Sequence, residues 1–194
     1  MNFKEFWKYY SYGIVRIFID QIAIAVFGVA VALGCAAAAQ SLGEAKSQMF
    51  TLISGAFAAL FFLFMVAELT FRQGVTDREK TELGRFKKSS LTGLYMGLLA
   101  NVPNFILALG YTVFYLIEAT KGSVSGFFGL ACKLVMGEYL GILSIRVGES
   151  GALLSSIPYM YFVVIIPCLI AAFLGYFLGV NGIITPRLTK KDFE

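Results

Sequence analysis

Residues 49–71 read MFTLISGAFAALFFLFMVAELTF and contain one ionisable side chain, that of Glu68. An apolar helix of about 20 residues crosses a hydrocarbon layer about 30 Å thick, so this stretch is long enough to span a bilayer. The same pattern recurs in residues 17–39, 91–117 and 159–183, and short charged segments separate the four stretches. The sequence therefore predicts an integral membrane protein with four transmembrane helices.

The composition indicates the same class of protein. Of the 194 residues, 58% are hydrophobic and 14% are charged, whereas an ordinary soluble domain has about 25% charged residues. We expect one polytopic domain over residues 1–194, an all-α bundle whose partner is the lipid bilayer. A dispersed net charge of +4 gives no indication of nucleic-acid binding.

Residues 2–12 alternate aromatic side chains with Lys4 and Lys8. Tyrosine and tryptophan favour the headgroup zone, and long lysine side chains reach towards water. This pattern predicts an interfacial helix over 2–12, with the alternative that these residues begin the first span.

The distribution of basic residues predicts the orientation. Lys46 is the only basic residue in 40–48. Residues 72–90 contain six basic side chains: Arg72, Arg78, Lys80, Arg85, Lys87 and Lys88. Because cytoplasmic loops are enriched in lysine and arginine, we expect 72–90 to be a basic cytoplasmic loop. Both termini are then cytoplasmic, and the cell membrane is the expected location.

Residues 124–147 leave the number of spans open. They are apolar enough for a fifth span, yet Lys133 and Glu138 lie near their middle. If residues 124–147 crossed the membrane fully, the basic C-terminal residues Arg187, Lys190 and Lys191 would lie outside the cell. If they do not cross, twelve of the sixteen basic residues are cytoplasmic. The charge pattern therefore favours an amphipathic or re-entrant helix on the extracytoplasmic side.

Polar residues within the spans are the candidate binding residues. Asn101 and Asn104 flank Pro103, which must kink the third span because proline lacks a backbone donor. The two amides serve either to bond the freed carbonyls or to line a small solute cavity, since broken helices at mid-membrane bind solutes in transporters. Lys133 and Glu138 join the candidates if residues 124–147 enter the membrane.

Two oppositely charged pairs lie near the predicted cytoplasmic edge. Arg16 and Asp20 are four residues apart, as are Glu68 and Arg72, so each pair shares a helix face. Structural ion pairs at the membrane edge are the favoured interpretation, and a charged cluster that binds a cation is the alternative.

Three GxxxG spacings provide candidate packing faces. They are formed by Gly93 and Gly97, Gly137 and Gly141, and Gly175 and Gly179. Glycines at this spacing let helix backbones approach closely, either within the bundle or against another membrane protein or a second copy of this chain.

The sequence excludes several kinds of chemistry. Histidine is absent, which removes HExxH metalloproteases and serine hydrolases that use a histidine base. The three cysteines, Cys35, Cys132 and Cys168, are far apart in the sequence and form no CxxC motif. We expect no enzyme, cofactor or metal site. The first function hypothesis is a non-catalytic membrane subunit or accessory protein, and the alternative is a small transporter or substrate-binding component with a cavity near Asn101 and Asn104.

Overall fold

The structure is a computed structural model that describes residues 3–84, 89–117, 120–147 and 152–183. About 85% of these residues are helical. The helices are α1 (Phe3–Leu42), α2 (Glu44–Glu82), α3 (Thr92–Ala100), α4 (Val102–Leu116), α5 (Val124–Val135), α6 (Leu140–Leu143), α7 (Met160–Val163) and α8 (Ile166–Asn181). Short 3-10 turns cover Gly137–Tyr139 and Leu154–Ser156, and β1 (Arg146–Val147) pairs antiparallel with β2 (Ala152–Leu153).

Helices α1 and α2 form a long antiparallel pair. Only Gly43 separates them, and its φ of 84° is a left-handed conformation that glycine adopts without steric cost. The pair is held at this end by a hydrogen bond from Ser47 Oγ to Cys35 O at 2.7 Å. At the other end Tyr10 of α1 bonds Asp77 of α2. Residues 40–48, which separate the first two predicted spans, are therefore helical except at Gly43.

The prediction of a separate interfacial helix over 2–12 is wrong for the described residues 3–12. They belong to α1, which continues without a break into the predicted first span. The reason is a single buried stripe with helical spacing that runs through both segments. It consists of Tyr10, Ile14, Ile17, Gln21 and Ala25.

The prediction of a basic loop over 72–90 is also wrong in its first half. Helix α2 continues to Glu82, so Arg72, Arg78 and Lys80 are helical residues. Ion pairs at i,i+4 spacing support this extension, among them Arg78 with Glu82 at 3.2 Å. Arg85, Lys87 and Lys88, like the tail residues Arg187, Lys190 and Lys191, lie outside the described residues.

Within the described ranges, three to five helical segments are long and apolar enough to cross a membrane. Three are single stretches, Phe3–Cys35, Lys46–Glu82 and Met160–Asn181. The other two are bent pairs, α3 with α4 at 52° and α5 with the Gly137–Leu143 segment at 84°. The kink predicted in the third span is confirmed, because the 52° bend lies at Asn101, two residues before Pro103.

Four helix ends meet at one end of the molecule, which we call the Asp77 end. Asp77, near the end of α2, accepts hydrogen bonds from Tyr10 near the start of α1 and from Tyr176 near the end of α8. The start of α3 joins them, because Gly93 packs against Tyr176. The opposite end, which we call the Cys35 end, contains the turn between α1 and α2.

Residues 124–147 approach the middle of the bundle from the Cys35 end and turn back towards it. Helix α5 packs along α4, with the rings of Phe128 and Phe114 5.2 Å apart. Gly137 then contacts α1 at Ala25, about midway along the helix, and Gly141 contacts α2 at Gly55, nearer the Cys35 end. This turn places Glu138 inside the bundle.

Candidate functional site

The break between α3 and α4 carries a buried amide on each side. Asn101 Nδ2 donates to the carbonyl of Gly97 at 2.9 Å and to Cys168 Sγ of α8 at 3.3 Å. Asn104 Nδ2 donates to Asn101 Oδ1 at 2.8 Å. The Gly97 carbonyl also accepts the backbone N–H of Asn101, so the Asn101 amide reinforces the end of α3. The Asn104 amide bonds back across the break to Asn101.

Asn104 connects this break to two other elements through Gln21 of α1. Asn104 Nδ2 also donates to Gln21 Oε1 at 2.8 Å, and Gln21 Nε2 donates to Glu138 Oε1 at 2.9 Å. We call Gln21, Asn101, Asn104 and Glu138 the polar core cluster. At most 2% of the surface of each is exposed, so the cluster is sealed inside the bundle.

Two oxygen atoms of the polar core cluster have no hydrogen-bond partner among the described residues. They are Glu138 Oε2 and Asn104 Oδ1. The hydroxyl of the neighbouring Tyr139 is also buried without a partner in that part of the chain. Buried polar atoms without partners are few in native proteins and are costly, so each requires a physical explanation.

The structure brings together three of the four candidate binding residues from the sequence. Asn101, Asn104 and Glu138 belong to the polar core cluster, whereas Lys133 is half-buried on α5 and forms no part of it. Gln21, which links them, was not among the predicted residues. Its helical spacing from Ile17 and Ala25 places it on their face of α1, and that face is known to be buried only from the structure.

A second polar cluster, also missed, lies at the Asp77 end. Asp77 is 2% exposed, and its Oδ2 accepts hydrogen bonds from Tyr10 at 2.7 Å and Tyr176 at 2.9 Å. Its Oδ1 accepts one from Gln73 at 3.2 Å and lies 3.7 Å from Lys80 Nζ. Asp77 thus joins α1, α2 and α8 at a single carboxylate.

The two edge ion pairs line one groove between α1 and α2, which we call the charged groove. Its volume is about 300 Å³. Arg16 Nε lies 3.8 Å from Asp20 Oδ2, and Arg72 bonds Glu68 through two nitrogen atoms. The remaining lining residues are Tyr12, Gly13, Met65, Leu69, Gln73 and Thr76.

The glycines of the three GxxxG spacings lie against other helices of the same chain. A Cβ at Gly93 would overlap Ala172 of α8, and one at Gly175 or Gly179 would overlap backbone of α2. Gly97 also faces Ala172. The structure thus shows the internal-packing alternative for these residues.

No group of three cysteine, aspartate or glutamate side chains comes together as metal ligands in the described ranges. Cys35, Cys132 and Cys168 are free thiols. Comparison with protein families, with curated proteins and with solved structures finds no match to this chain. The function must therefore be argued from the polar core cluster and the charged groove themselves.

Proposed function

We propose that this chain is a small solute-binding membrane component, either a transporter itself or the membrane part of one. The observation that carries the proposal is the connection of two broken helical elements through the buried amide of Gln21. The α3–α4 break supplies Asn104, and the turn after α5 supplies Glu138. Broken helices that bring polar side chains together inside a bundle are the usual form of solute sites in transporters.

The topology we propose has four crossings and a re-entrant segment in the cell membrane. Helices α1, α2, α3 with α4, and α7 with α8 would each cross once, and residues 124–147 would enter and leave at the Cys35 end. The meeting of four helix ends at the Asp77 end supports this arrangement. The basic residues of α1 and α2 near that end favour a cytoplasmic orientation for both termini.

The unpartnered atoms suggest the chemical class of the solute. Glu138 Oε2 and Asn104 Oδ1 are hydrogen-bond acceptors. Acceptors in a dry, low-dielectric interior favour a cation or a donor of N–H bonds. The site therefore suits a small cation or a small primary amine, and the proposed function is not enzymatic.

The accessory-subunit hypothesis has less structural support. One of its features is a set of helix faces at Gly93, Gly97, Gly175 and Gly179 for packing against another membrane protein, and these glycines pack within the chain. It remains the second proposal if the polar core cluster binds no solute.

Thermal unfolding of the purified full chain in mild detergent tests the solute site. The probes are sodium, potassium, lithium, ammonium, methylammonium and ethylammonium ions, with tetraethylammonium as a bulky control. We expect at least one small cation to raise the melting temperature. A ligand at 100 times its Kd stabilises the folded state by about 2.7 kcal/mol.

Glu138→Gln is the decisive variant because it keeps the shape of the side chain and an acceptor for Gln21. It should fold and lose the cation-dependent shift. Glu82→Gln changes an exposed carboxylate of α2 and should keep the shift. If no probe stabilises the unaltered chain, or if Glu138→Gln responds equally, the polar core cluster is not a solute site.

A further inference from the structure

The charged groove lies where the long helices change from apolar to charged. Residues 21–42 of α1 and 47–67 of α2 contain no Asp, Glu, Lys or Arg. At about 1.5 Å per residue these stretches are about 32 Å long, which matches the hydrocarbon thickness of a bilayer. Asp20 and Glu68 are the first charged residues beyond them on the Asp77 side, so the groove lies at headgroup depth.

The groove is open to the lipid-facing side of the α1–α2 pair. The side chains of Arg16 and Arg72 are 54% and 77% exposed, and those of Asp20 and Glu68 are 20% and 44% exposed. Phe61, one turn before the lining residue Met65 and 45% exposed, extends an apolar surface from the groove towards the membrane interior. A ligand with a charged head and an apolar tail fits this arrangement.

The charges of the groove are equally divided between the two signs. Arginine forks bind phosphate through paired N–H donors, and a primary ammonium has three N–H donors for carboxylates. A purely anionic headgroup would meet the two carboxylates, and a trimethylammonium headgroup has no N–H to donate. The groove thus selects a headgroup that contains both a phosphate and a primary ammonium.

The size of the groove is adequate for such a headgroup. A volume of about 300 Å³ lies at the lower end of the range for small-ligand sites, about 300–1,000 Å³. A phosphoethanolamine group has about eight non-hydrogen atoms, so it fits within that space. The present ion pairs are i,i+4 contacts within single helices, which contribute little and can be exchanged for contacts with a ligand.

We propose that the charged groove binds the headgroup of phosphatidylethanolamine. Arg16 and Arg72 contact the phosphate, Asp20 and Glu68 contact the ammonium, and the acyl chains lie along the α1–α2 surface. This lipid site is separate from the polar core cluster, so either proposal can fail without the other.

Native mass spectrometry of the full chain tests the proposal. The protein is loaded with an equimolar mixture of phosphatidylethanolamine, phosphatidylcholine and phosphatidylglycerol with identical acyl chains. We expect the ethanolamine lipid to be retained several-fold over each of the others. Equal retention of the three lipids, or preference for phosphatidylglycerol, would overturn the proposal.

Two double variants test which residues bind the phosphate and which bind the ammonium. Arg16→Gln with Arg72→Gln should abolish retention, whereas Asp20→Asn with Glu68→Gln should remove the discrimination against phosphatidylcholine and phosphatidylglycerol. Arg78→Gln with Glu82→Gln removes a matched i,i+4 pair of α2 outside the groove and should retain selectivity.

Two further outcomes would count against a lipid in the groove. One is unchanged selectivity in both groove variants. The other is displacement of the lipid by free phosphoethanolamine at equal concentration, which would indicate a site for a soluble zwitterion. Because the side chains of Arg72 and Glu68 are exposed and half-exposed, the variants Arg72→Gln and Glu68→Gln alone provide a second measurement if a double variant fails to fold.

Discussion

Replacing Gly28 by alanine should destabilise the bundle at the turn that carries Glu138. A Cβ built at Gly28 overlaps the carbonyl of Gly137 and lies 3.2 Å from the backbone nitrogen of Glu138. Backbone atoms cannot rotate away as a side chain can, so α1 and the turn after α5 must separate by about 1 Å to regain van der Waals distances of about 3.5 Å.

The magnitude follows from two opposing effects. Overpacking at a close contact costs about 1–3 kcal/mol, whereas alanine in a helix is favoured over glycine by about 0.5–1 kcal/mol. The difference is a net loss of about 0–2.5 kcal/mol, and we expect the upper half of that range for Gly28→Ala because the overlap is with backbone atoms. Gly34→Ala lies in the same helix, and its Cβ would meet no atom within 4 Å. It should be neutral or stabilising by up to about 1 kcal/mol.

The assay is thermal or denaturant unfolding of both variants in the same mild detergent. If Gly28→Ala and Gly34→Ala unfold alike, the contact between α1 and the Gly137 turn does not exist as described. Gly137→Ala provides the reciprocal test, because its Cβ would overlap the carbonyl of Ala25. A loss of stability in Gly28→Ala without one in Gly137→Ala would also contradict the proposed contact.

Three other predictions concern different parts of the fold. Asp77→Ala should cost about 2–4 kcal/mol in unfolding experiments, because the buried hydroxyls of Tyr10 and Tyr176 both lose the carboxylate that accepts their hydrogen bonds; a loss equal to that of Tyr10→Phe would refute it. Pro103→Ala should change stability by less than about 1 kcal/mol, since Pro103 lies in the first turn of α4, where a backbone N–H has no intrahelical acceptor; unfolding of this variant at much lower temperature would show that the proline is essential. Cysteines placed at exposed positions 46 and 82 should react with a membrane-impermeant reagent from opposite faces of the membrane. Lys46→Cys should react from outside, and Glu82→Cys should react only after permeabilisation. Labelling of both from the same face would disprove a crossing by α2.

The long apolar helices and the kink were accessible from the sequence because each depends on local chemistry. Long apolar runs require helices in a bilayer, and proline lacks the donor that a continuous helix needs. The helix ends were harder to predict. Residues 2–12 and 72–82 are polar enough to be read as surface segments, yet their Tyr10 and Asp77 bond each other inside the bundle.

The candidate site was only partly predictable for a related reason. Asn101 and Asn104 are conspicuous because they flank a proline, and Glu138 because it interrupts an apolar run. Gln21 is not conspicuous, since one amide near the end of a span resembles a boundary residue. The contact of Gln21 with Glu138 joins residues 117 positions apart, and no local pattern in a single sequence encodes such a pairing.

Packing of this bundle does not require a carboxylate at position 138. Close approach of the helices is provided by glycines, among them Gly28 against Gly137 and Gly55 against Gly141. The amide of Gln21 needs one acceptor, which a neutral glutamine at position 138 would supply equally well. A carboxylate adds a second oxygen that has no partner in the described part of the chain, and burying it costs free energy unless something binds there. The unpartnered Oε2 of Glu138 is the physical reason for proposing a solute site at this turn.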